Sequence, residues 1–396
     1  MNLPPNTKKY LTTTIRLLVA VAGLTYIAYS LTWTDSILVP ANYTLPSNIT
    51  YAKATQLRII SHDQSSYLVQ LKPTPQFPNI DSQITISDAD LGEKLTDLQF
   101  RLGIISTMAE ANYALLALGL LLIGIMFPVQ GIRWWILLRC RGIIVHPFKA
   151  IRLTLVGLFF NFCMPGMTGG DVVKAYYAAK GSDNRSTAVM SVVFDRIAGL
   201  FGLIILGGIV GLFLLHNPLA QRITISIWIL IAVITTLGIA YFSQHIRTLI
   251  GLKFLMDRMS PGNIFAKLDH ATVAYKHHKK AVFSAILISI PIHLCQVTAV
   301  ALAGYALQMQ TPIGLMYCVL PVIFLAGSMP ISYQGLGVME GLGFAFLASD
   351  QFASNNQIVG MLLIMRIFFV IFAILSSFFV LRGNIQLQPQ ILEPVA

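Results

Sequence analysis

Long apolar runs separated by short polar joints dominate the chain, and their lengths set the first expectation. A helix needs about twenty apolar residues to cross a hydrocarbon core of about 30 Å. Runs near that length predict about six full spans, over 15–33, 108–130, 188–215, 223–242, 281–307 and 357–381. The stretch 34–105 has a different period. Polar and apolar residues alternate in Gln56-Leu57-Arg58-Ile59, in Tyr67-Leu68-Val69-Gln70-Leu71 and in Ile84-Thr85-Ile86, with Pro73, Pro75, Pro78, Asn79 and Asp81 between these runs. Strand periodicity punctuated by turn residues predicts a small β-rich insert. Its 72 residues contain no cysteine and make a marginal core, which predicts support from the membrane body or a partner.

Two further apolar segments are too short or too broken to cross. Ala150 to Met164 would extend roughly 22 Å as a helix before Pro165-Gly166 and Gly169-Gly170 stop it. The chain then resumes at Asp171 and reaches Lys180 and Arg185, with Arg139, Arg141, Lys149 and Arg152 on the other flank. Basic residues at both ends predict a re-entrant hairpin with its tip at Met164–Asp171. The second case runs from 312 to Met329, interrupted by Pro321, and breaks at Pro330 through Gly337 before a short apolar arm, Val338–Ala348. It reads as a hairpin entering from the opposite side. Each hairpin has Met-Pro, then glycines, then an acid in the second arm (Asp171, Glu340), and each lies between full spans. That order predicts an inverted repeat of discontinuous helices. Irregular backbone at membrane depth must be buried in protein or line a wet cavity, so a polar central cavity is expected. Glycine-rich tips leading into helices would offer it N–H groups suited to an anion.

Composition then removes whole classes. Hydrophobic residues make up 56% of the chain and charged residues 11%, with a mean hydropathy of +0.72, whereas soluble domains run near ~25% charged. An ordinary soluble enzyme, a disordered chain and a nucleic-acid binder are excluded despite the net charge of +11. The 15–33 run is too long for a signal-peptide core and lacks a cleavage site, so it reads as an uncleaved span. Placing the N-terminus in the cytoplasm puts 20 of the 27 Lys and Arg on the cytoplasmic side or its boundary and six outside. Both termini are then cytoplasmic, and the surplus is mostly an orientation signal. Cys140, Cys163, Cys295 and Cys318 lie in or beside apolar segments without paired spacing and read as packing residues. The 243–280 loop, with seven basic and two acidic residues among apolar ones, reads either as an interfacial segment drawn to anionic lipid or as topology signal alone.

Ionisable residues within apolar surroundings are costly and often functional. Asp171 and Lys174 share one face of an arm; Asp171 fits an N-cap and a substrate contact equally. Asp195-Arg196 opens a long apolar stretch and reads either as an interfacial pair or as part of a site. Glu340 needs a cationic partner, and Arg366, alone within its span, is the best one. His293 is expected to be a hydrogen-bonded packing residue. Asn161 near the first tip could cap or coordinate.

Taken together, these segments carry a resemblance. Gly157 and Asn161, Pro165-Gly166, and Gly169-Gly170-Asp171 with Lys174-Ala175 resemble the G-x-x-x-N…P-G…G-G-D-x-x-[RK]-A block of the lysylphosphatidylglycerol synthase transmembrane region, a flippase-type family. Asp195-Arg196 with Gly199-Leu200 is similar to its D-R-x-x-G-L motif. Pro330, Ser332, Gly335-Leu336-Gly337 and Glu340-Gly341 are similar to its P-x-S-x-x-G-L-G-x-x-E-G block. Arg133-Trp134 resembles an R-W after an early span, and Arg366 falls where the family keeps an arginine. The resemblance implies movement between leaflets of a lipid with a charged head group, or handling of isoprenoid-linked lipids. Two departures matter: no soluble aminoacyl-transferase domain follows the spans, and the 34–105 insert is longer than the short loop such proteins carry.

The expectation is therefore an all-α polytopic membrane protein with a β-rich extracytoplasmic insert: 1–33 as cytoplasmic N-terminus and first span, 34–105 as insert, 106–383 as flippase-like body and 384–396 as tail. It is expected to act as a non-enzymatic lipid translocase of a prokaryotic cytoplasmic membrane, with no cofactor and no metal. The substrate would be a membrane phospholipid or isoprenoid-linked lipid, with an envelope protein as a further partner through 34–105 and no nucleic acid. The rival readings are an accessory subunit of an envelope lipid pathway and an intramembrane enzyme on a lipid-linked substrate. Asn161, Gly169, Gly170, Asp171, Lys174, Asp195, Arg196, Ser332, Gly335, Gly337, Glu340 and Arg366 are the substrate-binding candidates, with a lipid phosphate among Lys174, Arg196 and Arg366.

Overall fold

The computed structural model of the chain describes residues 31–45, 49–63, 65–73, 83–92, 98–163, 169–180, 185–243, 271–329, 331–349 and 351–381, with a few isolated positions beside these. Most of the expected first span, most of the 243–280 loop, the 384–396 tail and residues 164–168 of the first tip lie outside the described residues.

The alternating segments of the insert form a sheet. Strands β1 (Ser36–Val39), β2 (Thr55–Asp63), β3 (Ser66–Gln70), β4 (Gln83–Ser87) and β5 (Gln99–Arg101) run antiparallel in the order β4-β3-β2-β1-β5. Every second residue faces one side, and Ile37, Val39, Leu57, Val69 and Ile86 are fully buried there with Leu98. The entry and exit of the insert are tied to the helical body. The Asn356 side chain donates to the carbonyls of Thr32 and Leu102, both at 2.9 Å, and accepts from the Thr32 N–H at 3.0 Å.

After a short helix α1 (Ile104–Ala109), the body begins at α2 (Tyr113–Arg139). Asn112 fixes that start by accepting from the N–H groups of Ala114 and Leu115. The span expected over 108–130 is thus displaced: a cap delays its start, and the apolar run through Leu138 carries the helix past Arg133. The other long helices are α5 (Arg185–Leu212), α6 (Pro218–Phe242), α7 (Lys279–Ala306) and α10 (Asn355–Leu381). With α2 they make five described helices long and apolar enough to span a membrane. Their surroundings differ. In α5, 61% of the apolar window is buried, against 17% in α6, so α5 is central and α6 peripheral.

Two pairs of shorter helices fill the remainder: α3 (Pro147–Cys163) with α4 (Gly169–Lys180), and α8 (Ile313–Ser328) with α9 (Val338–Leu347). The expected interruption at Pro321 does not occur, because α8 runs through it. In the first pair, a Cβ on Gly170 would stand 2.0 Å from the Gly157 carbonyl oxygen. Only glycine allows α3 and α4 to cross this closely. In the second pair the break is described directly: Gln334, Gly335 and Gly337 have φ of 50°, 69° and 81°, a left-handed region glycine enters freely and other residues resist.

Candidate functional site

Three helices bring charge to one buried point. Asp195 of α5 accepts from Arg133 Nε of α2 at 2.8 Å on one carboxylate oxygen and from Lys174 Nζ of α4 at 3.0 Å on the other. All three residues are buried, at 3–4% exposure. Arg133 also donates to the Ser289 hydroxyl of α7 at 2.8 Å. The Lys174 ammonium lies 4.4 Å from the centre of the Trp134 ring, a cation–π contact that partly replaces lost hydration. One turn away, Asp171 accepts from Arg196 at 2.7 Å, and this pair is about one-third exposed. Three cations against two carboxylates leave one positive charge in excess.

The second cluster is a pair. Glu340 of α9, 1% exposed, meets Arg366 of α10 through one carboxylate oxygen and accepts the Gly337 N–H at 2.9 Å through the other. It thereby caps the helix it starts. Arg366 Nε and the Ser332 hydroxyl are buried without a hydrogen-bond partner among the described residues.

Adjoining cavities connect the clusters. One of about 290 Å³ is lined by Arg133, Asn161, Gly170, Asp171, Lys174, Asp195, Arg196 and His293, among others. A second of about 190 Å³ is lined by Gln334, Met339 and Arg366. They share Leu158, Asn161, Gln296, Phe324 and Phe369. Asn161 accepts the Gly170 N–H at 2.7 Å, and the Tyr333 hydroxyl donates to the Phe162 carbonyl at 3.3 Å, so the break of the second pair touches the end of α3. His293 hydrogen-bonds the Gly199 carbonyl at 2.8 Å through Nε2, while Nδ1 stands 3.2 Å from the Gln296 amide.

The structure therefore sorts the sequence candidates. Asn161, Gly170, Asp171, Lys174, Asp195 and Arg196 meet around one cavity, and Arg366 lines its neighbour. Gly169, Ser332, Gly335, Gly337 and Glu340 line neither cavity; the last two hold the α9 terminus and its arginine. Asp171 and Lys174, on one helix face, do not pair with each other but each with a residue of the Asp195-Arg196 dipeptide. Of the Asp195-Arg196 dipeptide, Asp195 is buried in the protein and Arg196 is one-third exposed. Arg133 is not among the sequence candidates, although it is a cation inside an unbroken apolar run, Gly131 to Leu138. Among the described residues, no three His, Cys, Asp or Glu side chains gather as metal ligands.

Five long apolar helices, two broken helix pairs and a charged cavity between them define a multi-pass helical membrane protein. The model of the family lysylphosphatidylglycerol synthase TM region matches residues 102–377, and the chain belongs to that family. That places it among integral membrane proteins of lipid-related processes. No curated protein and no solved structure matches the chain.

Proposed function

We propose that this protein is a translocase that moves a lipid with a charged head group between leaflets without covalent chemistry on the lipid. The carrying observation is the single excess positive charge on the 290 Å³ cavity. A phosphodiester brings one negative charge, and in low dielectric an uncompensated charge interacts far more strongly than in water. Arg133 and Lys174 are buried against Asp195 and set the field. Arg196, one-third exposed, meets the phosphate by exchanging Asp171 for it. In this reading the two broken pairs are re-entrant hairpins of an inverted repeat, rocking about the cavity to expose it alternately. The sheet faces the outside of a prokaryotic cytoplasmic membrane and the 139–147 joint faces the cytoplasm.

The test is leaflet exchange of fluorescent phosphatidylglycerol and lysylphosphatidylglycerol in proteoliposomes. Exchange well above that of empty vesicles is expected for the wild type. Arg196→Gln, at a one-third-exposed position that leaves the buried triad intact, should slow it at least tenfold. Wild-type exchange equal to empty vesicles, or full exchange by Arg196→Gln, overturns the reading.

A further inference from the structure

A larger cavity lies elsewhere. Where the sheet meets the helical body, a cleft of about 860 Å³ opens between β1, β2, β5 and α1 on one side and the joints before α8 and α10 on the other. Among the described residues, its charged lining side chains are Arg101 and Glu110. It is also rich in carboxamides. Asn356 and Gln357 are committed to the fold, the latter donating to the Leu307 carbonyl at 2.8 Å. The side chains of Gln56, Gln308, Gln310 and Gln351 make no hydrogen bond to the described residues. Each carboxamide offers two donors and an acceptor, and Phe100 and Phe352 add aromatic surface.

Gln308 is the most unusual of these residues in its backbone. It follows the C-terminus of α7 in a Schellman turn: its N–H donates to the Tyr305 carbonyl at 3.0 Å, and the Met309 N–H donates to the Gly304 carbonyl at 3.1 Å. That position takes a left-handed residue, usually glycine. Here a glutamine holds φ of 63° at a cost in strain, and its exposed side chain lies on the cleft. Local backbone chemistry does not ask for glutamine there.

We propose that this cleft binds a neutral oligosaccharide. Vicinal hydroxyls match the donor–acceptor pattern of carboxamides, and sugar C–H faces pack on aromatic rings. A concave site with a few convergent polar groups takes a small ligand rather than a flat protein surface. The inference does not rest on lipid translocation.

The experiment is saturation-transfer NMR on the full chain in nanodiscs, purified without sugar-based detergent. The probes are lactose, mannobiose, maltotriose and chitobiose, with glucuronic acid and glucose 6-phosphate as charged controls. Saturation transfer to at least one neutral sugar and to neither control is expected. Gln308→Gly, which removes the carboxamide and relaxes the turn, should weaken binding at least fivefold with a thermal midpoint equal to or above wild type. Gln310→Ala combined with Gln351→Ala should do the same. A lactosyl lipid in the nanodisc serves as a second arm: competition with free lactose assigns a lipid-borne sugar, and its absence with free-sugar binding intact assigns a soluble one. No transfer to any neutral sugar, preference for a charged control, or unchanged binding by stable Gln308→Gly overturns the proposal.

Discussion

Around α4, one carboxylate serves two cations: Asp195 takes Arg133 on one oxygen and Lys174 on the other. Around α9, Glu340 serves a single cation, Arg366, and turns its second oxygen to the Gly337 N–H. Both arrangements hold charge inside an apolar body, but their electrostatic remainders differ. The first retains one positive charge once Asp171 and Arg196 are added; the second is neutral and its carboxylate is enclosed. A remainder attracts a ligand, whereas a closed pair fixes geometry. Under the proposed translocation, the first pair of helices is the binding half and the second the positioning half.

The largest test of this contrast is Asp195→Asn. It leaves Arg133 and Lys174 buried without a counter-ion, and breaking a buried ion pair costs about 3–5 kcal/mol. A thermal melt in detergent should show the midpoint falling by many degrees, and no single compensating change at Arg133 or Lys174 should restore it fully. Glu340→Gln should cost less, about 2–3 kcal/mol, because Arg366 is partly exposed at 15% and glutamine still caps Gly337. Here the double variant Glu340→Gln with Arg366→Met should recover stability close to wild type, since a two-member pair can be removed as a unit. If exchange activity survives in that double variant, the second pair is structural. Equal recovery in the first network would erase the distinction.

The sequence made the two clusters unequally legible for a related reason. Glu340 and Arg366 are isolated ionisable residues in apolar stretches, so elimination alone joins them. Around α4 five ionisable groups compete, and helical spacing points to the wrong partners: Asp171 and Lys174 stand three apart yet pair with Arg196 and Asp195. Arg133 lies just beyond the span expected over 108–130, where an arginine ordinarily marks a boundary. Its burial depends on Asp195, 62 residues away, which no local pattern encodes. Basic residues counted as orientation signals therefore include Arg133 and Lys174, both buried in the site. The strands of the insert were legible because alternation is local, while the cleft beneath them was not, being assembled from separated joints.

Smaller substitutions sharpen the comparison at the breaks themselves. Gly170→Ala puts a Cβ 2.0 Å from the Gly157 carbonyl oxygen and must part α3 from α4, at a cost of about 1–3 kcal/mol. Since Gly170 lines the charged cavity, labelled-lipid exchange should fall more than the melting midpoint predicts. The mildest change belongs to the second break. Gln334 holds φ of 50°, and Gln334→Gly relieves that strain while making the unfolded chain more flexible, a net stabilisation of about 0.5–1 kcal/mol. Gln334 also lines the 190 Å³ cavity beside Arg366. A higher midpoint with unchanged lipid exchange would mark the second break as a hinge whose side chain is dispensable. A higher midpoint with slower exchange would mean that the glutamine is kept, against its own backbone preference, for contact with what passes through the cavity, and the positioning half would then share in binding.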